Sequence, residues 1–167
     1  MRHLRIPEER VSVLIGEDGE TLQEVEDLTH ADIQVDGVEV EIDGDPMEEI
    51  RAFNIVKAIG RGFNPDRALR LLEDNADLCV MDVSEFAPTD NARERLKGRV
   101  IGRDGETREK IENDTNTEIA VYGKTVSILG KIQNVQVARE AVRMLLDGRS
   151  HSTAYNYIEK NLEKIER

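Results

Sequence analysis

Two four-residue motifs that begin and end with glycine are the best candidates for chemistry in this sequence. The first consists of Gly16, Glu17, Asp18 and Gly19, and the second of Gly102, Arg103, Asp104 and Gly105. Two glycines three residues apart let the backbone approach a bound chain closely, because neither carries a side chain. The helix predicted after each motif offers unpaired backbone N–H groups and the positive end of its dipole, which favour phosphate. The motifs therefore predict phosphate binding rather than bond-making catalysis.

The charges around the two motifs differ. Residues 93–110 contain seven basic and four acidic side chains, although the whole chain carries a net charge of −12. Arg99, Arg103 and Arg108 are the predicted phosphate partners in this segment. The first motif contains two acids instead, which repel a phosphate at short range. We therefore expect the second motif to bind a polyanion, and the first to bind it weakly or to contact protein.

Other arrangements that would support catalysis or metal binding are missing from the sequence. His3, His30 and His151 have no metal-ligand spacing. A single cysteine, Cys79, excludes a disulfide framework and a cysteine-based zinc site, and its apolar neighbours predict a buried, unreactive thiol. No serine has the setting of an activated nucleophile. The sequence predicts a protein that is not an enzyme and needs no metal or cofactor.

The two motifs belong to an internal repeat with an offset of 86 residues. Residues 14–21 align with residues 100–107, and the alignment continues without a gap through matched valines, isoleucines and glycines further along the chain. A repeat of this kind indicates two copies of one structural unit. We predict a first domain over residues 1–79 and a second over residues 80–167.

Hydrophobic periodicity predicts the same α+β order in each copy. In the second copy the order is a strand, a helix, the glycine motif, a second helix, two strands joined by a turn at Gly123, and a final helix. The predicted bounds of these elements are 80–86, 91–98, 106–114, 118–122, 125–129 and 135–146. A further helix is predicted after each copy, at residues 64–72 and 152–165.

This βααββα order, with Ile-Gly-x-x-Gly between the first two helices, resembles the type I KH domain. The resemblance implies two tandem domains, each a three-stranded sheet backed by helices, that bind single-stranded RNA or DNA. KH loops hold about four nucleotides, and the base edges lie in an adjacent apolar groove. Core packing is the simpler interpretation of each aliphatic residue taken alone. The candidates for the groove of the second copy are Val100, Ile101, Ile119 and Val121.

The tandem arrangement resembles one family in particular, the archaeal counterpart of the KH protein that partners the small-subunit rRNA 3′-end endonuclease. The similar segments are residues 60–72 and 80–83. The resemblance implies a factor for small-subunit assembly and pre-rRNA 3′-end processing. Such a factor binds single-stranded RNA and has a protein partner, the endonuclease or a translation factor. The alternative is a scaffold that holds a nuclease or translation factor and has little RNA affinity of its own.

Composition limits the setting in which the protein acts. The 167 residues include 35 acidic and 23 basic ones, and the isoelectric point lies near 4.8. No apolar run approaches the roughly 20 residues of a membrane-spanning helix, and the N-terminal residues lack the pattern of a secretion signal. We therefore predict a cytoplasmic protein with no membrane partner. A large negative charge with few lysines also raises the hypothesis of a high-salt cytoplasm.

Overall fold

The computed structural model describes residues 1–167, which form two compact units, Met1–Asp74 (unit 1) and Asn75–Arg167 (unit 2). The division lies five residues before the expected boundary between residues 79 and 80. The reason is that the first strand of unit 2 begins at Ala76, earlier than the sequence indicated. Every residue of this strand pairs with a later strand of unit 2, so a boundary at residue 79 would cut through a sheet.

Unit 1 contains a three-stranded antiparallel sheet with the strand order β1-β3-β2. Along β3 the residues alternate, with Val40 and Ile42 buried and their neighbours exposed, so one face of the sheet packs on the helices. In chain order the elements are β1 (Arg2–Arg5), α1 (Glu8–Ile15), α2 (Glu20–Thr29), β2 (Asp32–Asp36), β3 (Glu39–Asp43), α3 (Pro46–Gly60) and the short α4 (Pro65–Ala68), which continues into a 3-10 turn (Leu69–Leu72).

Unit 2 repeats this arrangement with the strand order β4-β6-β5 and adds a longer C-terminal helix. Its elements are β4 (Ala76–Asp82), α5 (Asp90–Ile101), α6 (Glu106–Thr115), β5 (Glu118–Tyr122), β6 (Thr125–Lys131), α7 (Ile132–Leu146) and α8 (His151–Lys160). The predicted α+β class and the βααββα order are therefore confirmed in both units. No helix in either unit is long and apolar enough to cross a lipid bilayer.

Local hydrogen bonds explain where some elements differ from the prediction. Strand β4 ends at Asp82, because its carboxylate accepts hydrogen bonds from the backbone N–H and the hydroxyl of Ser84, at 2.9 and 2.6 Å, and turns the chain. These bonds also lower the pKa of Asp82. Helix α5 begins after Thr89, whose side chain accepts from the N–H of Ala92 at 3.2 Å as an N-cap. Helix α8 ends at Lys160 instead of reaching residue 165.

The core of unit 2 holds the two helices that flank the glycine motif. Val100 at the end of α5 and Ile111 in α6 are fully buried, and they join Ile119 and Ile128 from the sheet in one apolar cluster. Ile158 extends the same cluster to α8. Since each side of the motif is anchored in this core, the loop between the helices has a fixed position relative to the sheet.

Replacement of Ile111 by Ala tests the role of this core. The change deletes buried methyl groups directly behind the loop, so we expect it to lower the free energy of unfolding by about 2–5 kcal/mol. The matched control is Ile132→Ala, because Ile132 is 42% exposed and its truncation should change stability by about 0.5 kcal/mol or less. Urea denaturation followed by circular dichroism measures both. Equal effects of the two variants would contradict the assignment of Ile111 to the core.

Candidate nucleic-acid interface

The two glycine motifs have the same backbone conformation. In unit 2 the chain leaves α5 at Gly102 with φ of 75°, makes a 3-10 turn over Arg103–Gly105, and enters α6 directly. Asp104 has φ of 54°, in the left-handed region. In unit 1 the corresponding φ values are 75° at Gly16 and 53° at Asp18. The difference between the two loops therefore lies in their side chains and not in their shape.

Gly102 and Gly105 are required for different reasons. A Cβ atom on Gly102 would lie 2.2 Å from Oγ1 of Thr107 and 2.7 Å from its backbone nitrogen, so no side chain fits there. A Cβ atom on Gly105 would meet nothing closer than a guanidinium nitrogen of Arg108 at 3.8 Å. Gly102 is thus fixed by internal packing, whereas Gly105 has a positive φ of 79° and leaves open space in front of the backbone. The open space is where a sugar–phosphate chain can approach.

Arg99 and Arg108, two of the predicted phosphate partners, also bind backbone carbonyls of unit 2. Arg99 donates through Nε to the carbonyl of Leu145 at 3.1 Å and through a terminal nitrogen to the carbonyl of Arg149. Arg108 donates to the carbonyl of Ile119 at 3.4 Å. Both arginines therefore hold α5 and α6 in place, a role that the sequence analysis missed, and only their remaining N–H groups are available to a ligand.

Arg103, the third predicted phosphate partner, and Arg95 differ from the other bases in residues 93–110. Both are exposed, and neither has a hydrogen-bond or ion-pair partner in the structure. By contrast, Lys97 binds Glu94 at 2.7 Å and the carbonyl of Gly123 at 2.8 Å. Arg95 was not among the predicted site residues, because its sequence neighbours do not reveal that it lacks a partner. The positive charge of this surface that no carboxylate pairs comes from these two free arginines and from Arg99, whose partners are neutral carbonyls.

Lys110 contributes less to a ligand than its charge suggests. It donates to Asp114 at 3.0 Å, one helical turn along α6. This hydrogen bond and the charge of the carboxylate raise the pKa of Lys110, so the ammonium group stays charged but is paired. Arg93 is paired in the same way with Asp90, at 2.9 Å.

The predicted groove is reduced to half of its residues. Val100 and Ile119 are fully buried in the core of unit 2, so the prediction that their side chains line a groove is wrong. Ile101 at the end of α5 and Val121 in β5 are half-buried. The physical reason is that Val100 and Ile119 face the core of unit 2, whereas Val121, on the same face of β5 as Ile119, packs against that core but is only partly covered. The candidate groove therefore rests on Ile101 and Val121.

A buried glutamate joins helix α6 to strand β5. An Oε2 oxygen of Glu112 in α6 accepts from the backbone N–H of Ile119 in β5 at 2.7 Å, and the side chain is largely buried. In unit 1, Glu26 makes the same bond to the N–H of Ile33 at 3.0 Å. Because a hydrogen bond to a carboxylate is stronger than a neutral one, it fixes the edge of β5 beside the helix. The sequence signal for these two hydrogen bonds was the alignment of Glu26 with Glu112 in the repeat.

The repeat also shows that unit 1 has acids at three positions where unit 2 has bases. Glu17 occupies the position of Arg103, Glu9 that of Arg95, and Glu24 that of Lys110. The helices and the loop of unit 1 thus present acids where unit 2 presents bases. These acids would repel a phosphate chain at short range, and weak binding by the loop of unit 1 stays a prediction.

Cys79 and the three histidines do not lie in a cluster of possible metal ligands. No group of three or more His, Cys, Asp and Glu side chains is arranged to hold a metal ion. Cys79 is half-buried in β4 rather than fully buried, and this burial raises the pKa of its thiol. His3 and His30 are exposed, whereas Nε2 of His151 lies 2.9 Å from the carbonyl oxygen of Arg99.

Comparison with known protein families assigns both units to the KH-domain class. A KH-domain model matches residues 2–58, and a model of the second PNO1 domain, described as a eukaryotic-type KH domain of type I, matches residues 77–163. The chain belongs to the tandem KH-domain family of pre-rRNA-processing proteins that includes PNO1 and Dim2p. The predicted family resemblance is therefore confirmed, and with it the assignment to an RNA-binding class.

Individual relatives agree with this assignment. A KH domain-containing protein of Methanocaldococcus jannaschii is 44% identical over 98% of this chain and 75% of its own length. The pre-rRNA-processing protein PNO1 of Chaetomium thermophilum is 36% identical over 62% of this chain, which spans only 41% of that protein. The crystal structure of the a/eIF2alpha–aDim2p–rRNA complex from Pyrococcus horikoshii contains a chain with a TM-score of 0.91 at 37% identity, covering 98% of this chain and 94% of that one.

Substitution of Gly102 by Ala tests whether packing fixes the loop. The added Cβ would clash with Thr107 and sit at a positive φ, so we expect a loss of about 1–3 kcal/mol in unfolding free energy. The matched control is Gly98→Ala in α5, where a Cβ meets nothing within 4 Å and should stabilise the helix by roughly 0.5–1 kcal/mol. Thermal denaturation compares the two variants. A Gly102→Ala protein as stable as the wild type would show that the loop is not constrained in this way.

Proposed function

We propose that this protein binds single-stranded RNA near the 3′ end of the small-subunit rRNA and acts as a factor in small-subunit assembly and pre-rRNA 3′-end processing in the cytoplasm. Unit 2 is the main reader of the RNA. The observation that carries this proposal is the contrast between two loops with one backbone shape, since only the loop of unit 2 has a free arginine, Arg103, at its tip.

The loop of unit 2 holds the RNA through its backbone and its free charge. Gly105 lets the sugar–phosphate chain approach, and the first N–H groups of α6 lack helical partners and point toward the anion. Arg103 supplies a charge-assisted contact to phosphate. The bases then lie against Ile101 and Val121, where the groove accommodates about four nucleotides. Affinity comes from the loop and base preference from the groove.

Relatives support the choice of rRNA as the ligand. The Pyrococcus aDim2p chain was crystallised together with rRNA and a/eIF2alpha, and the fungal relatives are pre-rRNA-processing proteins. The Pyrococcus chain covers 98% of this chain, and the two fungal proteins match 62% and 64% of it. We therefore infer that it recognises the same class of RNA and works beside a protein partner, the processing endonuclease or a translation factor.

The role that we propose is presentation of the RNA and not its cleavage. A hydrolytic enzyme needs a nucleophile held by a base, or a bound metal with an activated water. The groove instead offers aliphatic side chains, arginines and backbone groups. Cleavage of the pre-rRNA is thus assigned to the separate endonuclease.

Unit 1 supports a second candidate function, the docking of a protein. Its loop carries Glu17 and Asp18, and α2 exposes Leu28 to 48%. An exposed leucine within an acidic surface suits a partner with a basic, partly apolar face. In the scaffold alternative, this surface holds a nuclease or translation factor and the chain has little RNA affinity of its own. The two functions are compatible, with one in each unit.

Reversal of the charge at Arg103 tests the RNA-binding function. Loss of a charge-assisted phosphate contact costs about 1.5–3 kcal/mol, so we expect Arg103→Asp to weaken binding by at least about tenfold. The measurement is fluorescence anisotropy with a labelled RNA from the 3′ end of the small-subunit rRNA, beside a scrambled RNA of equal length, over a range of KCl. Arg139→Asp is the matched control, because Arg139 is an exposed base on α7 away from the loop.

The outcomes separate the two functions. Binding that prefers the rRNA sequence and is lost in Arg103→Asp, but kept in Arg139→Asp, supports RNA reading by unit 2. Unchanged binding by Arg103→Asp would overturn the assignment of the loop. Absence of binding by the wild type at every salt concentration would favour the scaffold alternative.

The acidic loop of unit 1 gives a complementary prediction. Glu17→Lys places a base at the position that Arg103 occupies in unit 2, on a backbone of the same shape. We expect RNA affinity to rise, and the slope of log affinity against log salt to steepen by about 0.7 for one new phosphate contact. Glu41→Lys, on the exposed side of β3, is the control for a change of net charge alone. An equal response of both variants would show that the loop position has no special role.

A further inference from the structure

A shallow cavity of about 520 Å³, largely open to solvent, lies beside the glycine loop of unit 2, on the side of α8. It is bounded by α5, by the loop and by the first residues of α6 and α8. Helix α8 is not part of the βααββα unit, so this space is an addition to the KH fold. Its volume lies in the range of pockets that hold small organic ligands, and a single nucleotide is a ligand of that size class.

The two free arginines of unit 2 both line this cavity. Arg95 comes from α5 and Arg103 from the loop, and neither is neutralised by a partner in the protein. Arg99 also lines it, although this side chain is bound to two backbone carbonyls. Glu106 is the one acidic residue of the lining. The cavity therefore has an excess of positive charge.

The opposite wall carries an aromatic side chain in a fixed orientation. The hydroxyl of Tyr155 in α8 donates to Oγ1 of Thr107 at 3.3 Å, and the Lys110 ammonium lies over one face of the ring, 5.1 Å from its centre, so a base would stack on the other face. The imidazole of His151 is held by the carbonyl of Arg99 and lies 6.3 Å from the Tyr155 ring, centroid to centroid. Held aromatic rings stack on bases of any identity, because every base has a π-face.

Unit 1 has no counterpart of this wall. The positions that correspond to Arg95, His151 and Tyr155 in the repeat are Glu9, Pro65 and Leu69. Helix α4, which occupies the place of α8, has only four residues. The combination of free arginines with an aromatic side chain thus occurs in the same unit that carries the basic loop.

We propose that this cavity is an additional nucleotide subsite, which extends the RNA path beyond the nucleotides held by the loop. Arg95 and Arg103 bind the phosphate of the added nucleotide, and its base stacks on Tyr155. The proposal rests on the proposed function, because it takes single-stranded RNA as the ligand. It assigns to α8 a role in RNA binding that the KH fold alone does not have.

Length-dependent RNA binding by the full chain tests the subsite. The probes are an eight-nucleotide RNA from the small-subunit 3′ end and four-nucleotide RNAs truncated from either side of it. We expect Arg95→Glu to weaken binding of the eight-nucleotide RNA by about tenfold and to reduce its salt slope by about 0.7, with little effect on the four-nucleotide RNA that fills the groove. Arg139→Glu, with the same charge change elsewhere on unit 2, should alter both RNAs equally and slightly.

Variants of Tyr155 separate stacking from bracing of the loop. Tyr155→Phe removes the hydrogen bond to Thr107 and keeps the ring, so we expect it to bind the longer RNA as the wild type does. Tyr155→Ala should lose about tenfold in affinity for the longer RNA alone. Arg95→Glu changes an exposed side chain, so it remains a valid test even if Tyr155→Ala does not fold.

The outcomes distinguish this proposal from the proposed function. Equal loss for long and short RNAs in Arg95→Glu, or an effect no larger than that of Arg139→Glu, would overturn the subsite while leaving RNA binding by the loop intact. Loss of affinity in Tyr155→Phe as large as in Tyr155→Ala would show that the tyrosine only braces the loop. A wild-type protein that binds neither RNA would overturn both proposals.

Discussion

The close approach of a glycine to a threonine five residues further along determines the loop on which the rest of the structure depends. Gly102 packs against Thr107 and Gly16 against Thr21, and in each pair a Cβ on the glycine would fall 2.2 Å from the threonine hydroxyl oxygen. The helices on both sides are anchored in the core, so the chain can pass from one to the other only through this turn. Because the constraint is internal, the loop keeps its shape whether or not its surface suits RNA.

Because the backbone shape of the loop does not depend on its outward side chains, the two units have the same loop with different charges. Nothing in the packing of the loop involves the outward side chains of Glu17 or Arg103, so acids and bases are equally compatible with it. Three bases of unit 2, Arg95, Arg103 and Lys110, are replaced by acids in unit 1, which changes attraction of phosphate into repulsion at those positions. Two copies of one fold can therefore serve two classes of ligand.

The sequence was sufficient to predict the repeat, the order of elements and the loop, because these depend on periodicity and on glycine positions along the chain. It could not assign the groove correctly, since period-two alternation in β5 does not tell which face the helices cover, and Ile119 proved to be core. The sequence also could not predict the roles of Arg99 and Arg95. Arg99 binds a carbonyl 46 residues away, and Arg95 matters because nothing binds it. Both are properties of the tertiary structure.

The acidic remainder of the chain affects how RNA reaches unit 2. With a net charge of −12, most of the molecule repels a polyanion over the Debye length, which is about 30 Å in 0.01 M salt and about 8 Å at physiological ionic strength. Salt at the higher concentration therefore screens the repulsion from distant acids more than the direct contacts of the two free arginines. A basic RNA-binding protein has no such repulsion to relieve. In the proposed complex, the acidic remainder of the chain favours RNA only at the surface of unit 2 that carries the loop, the free arginines and α8.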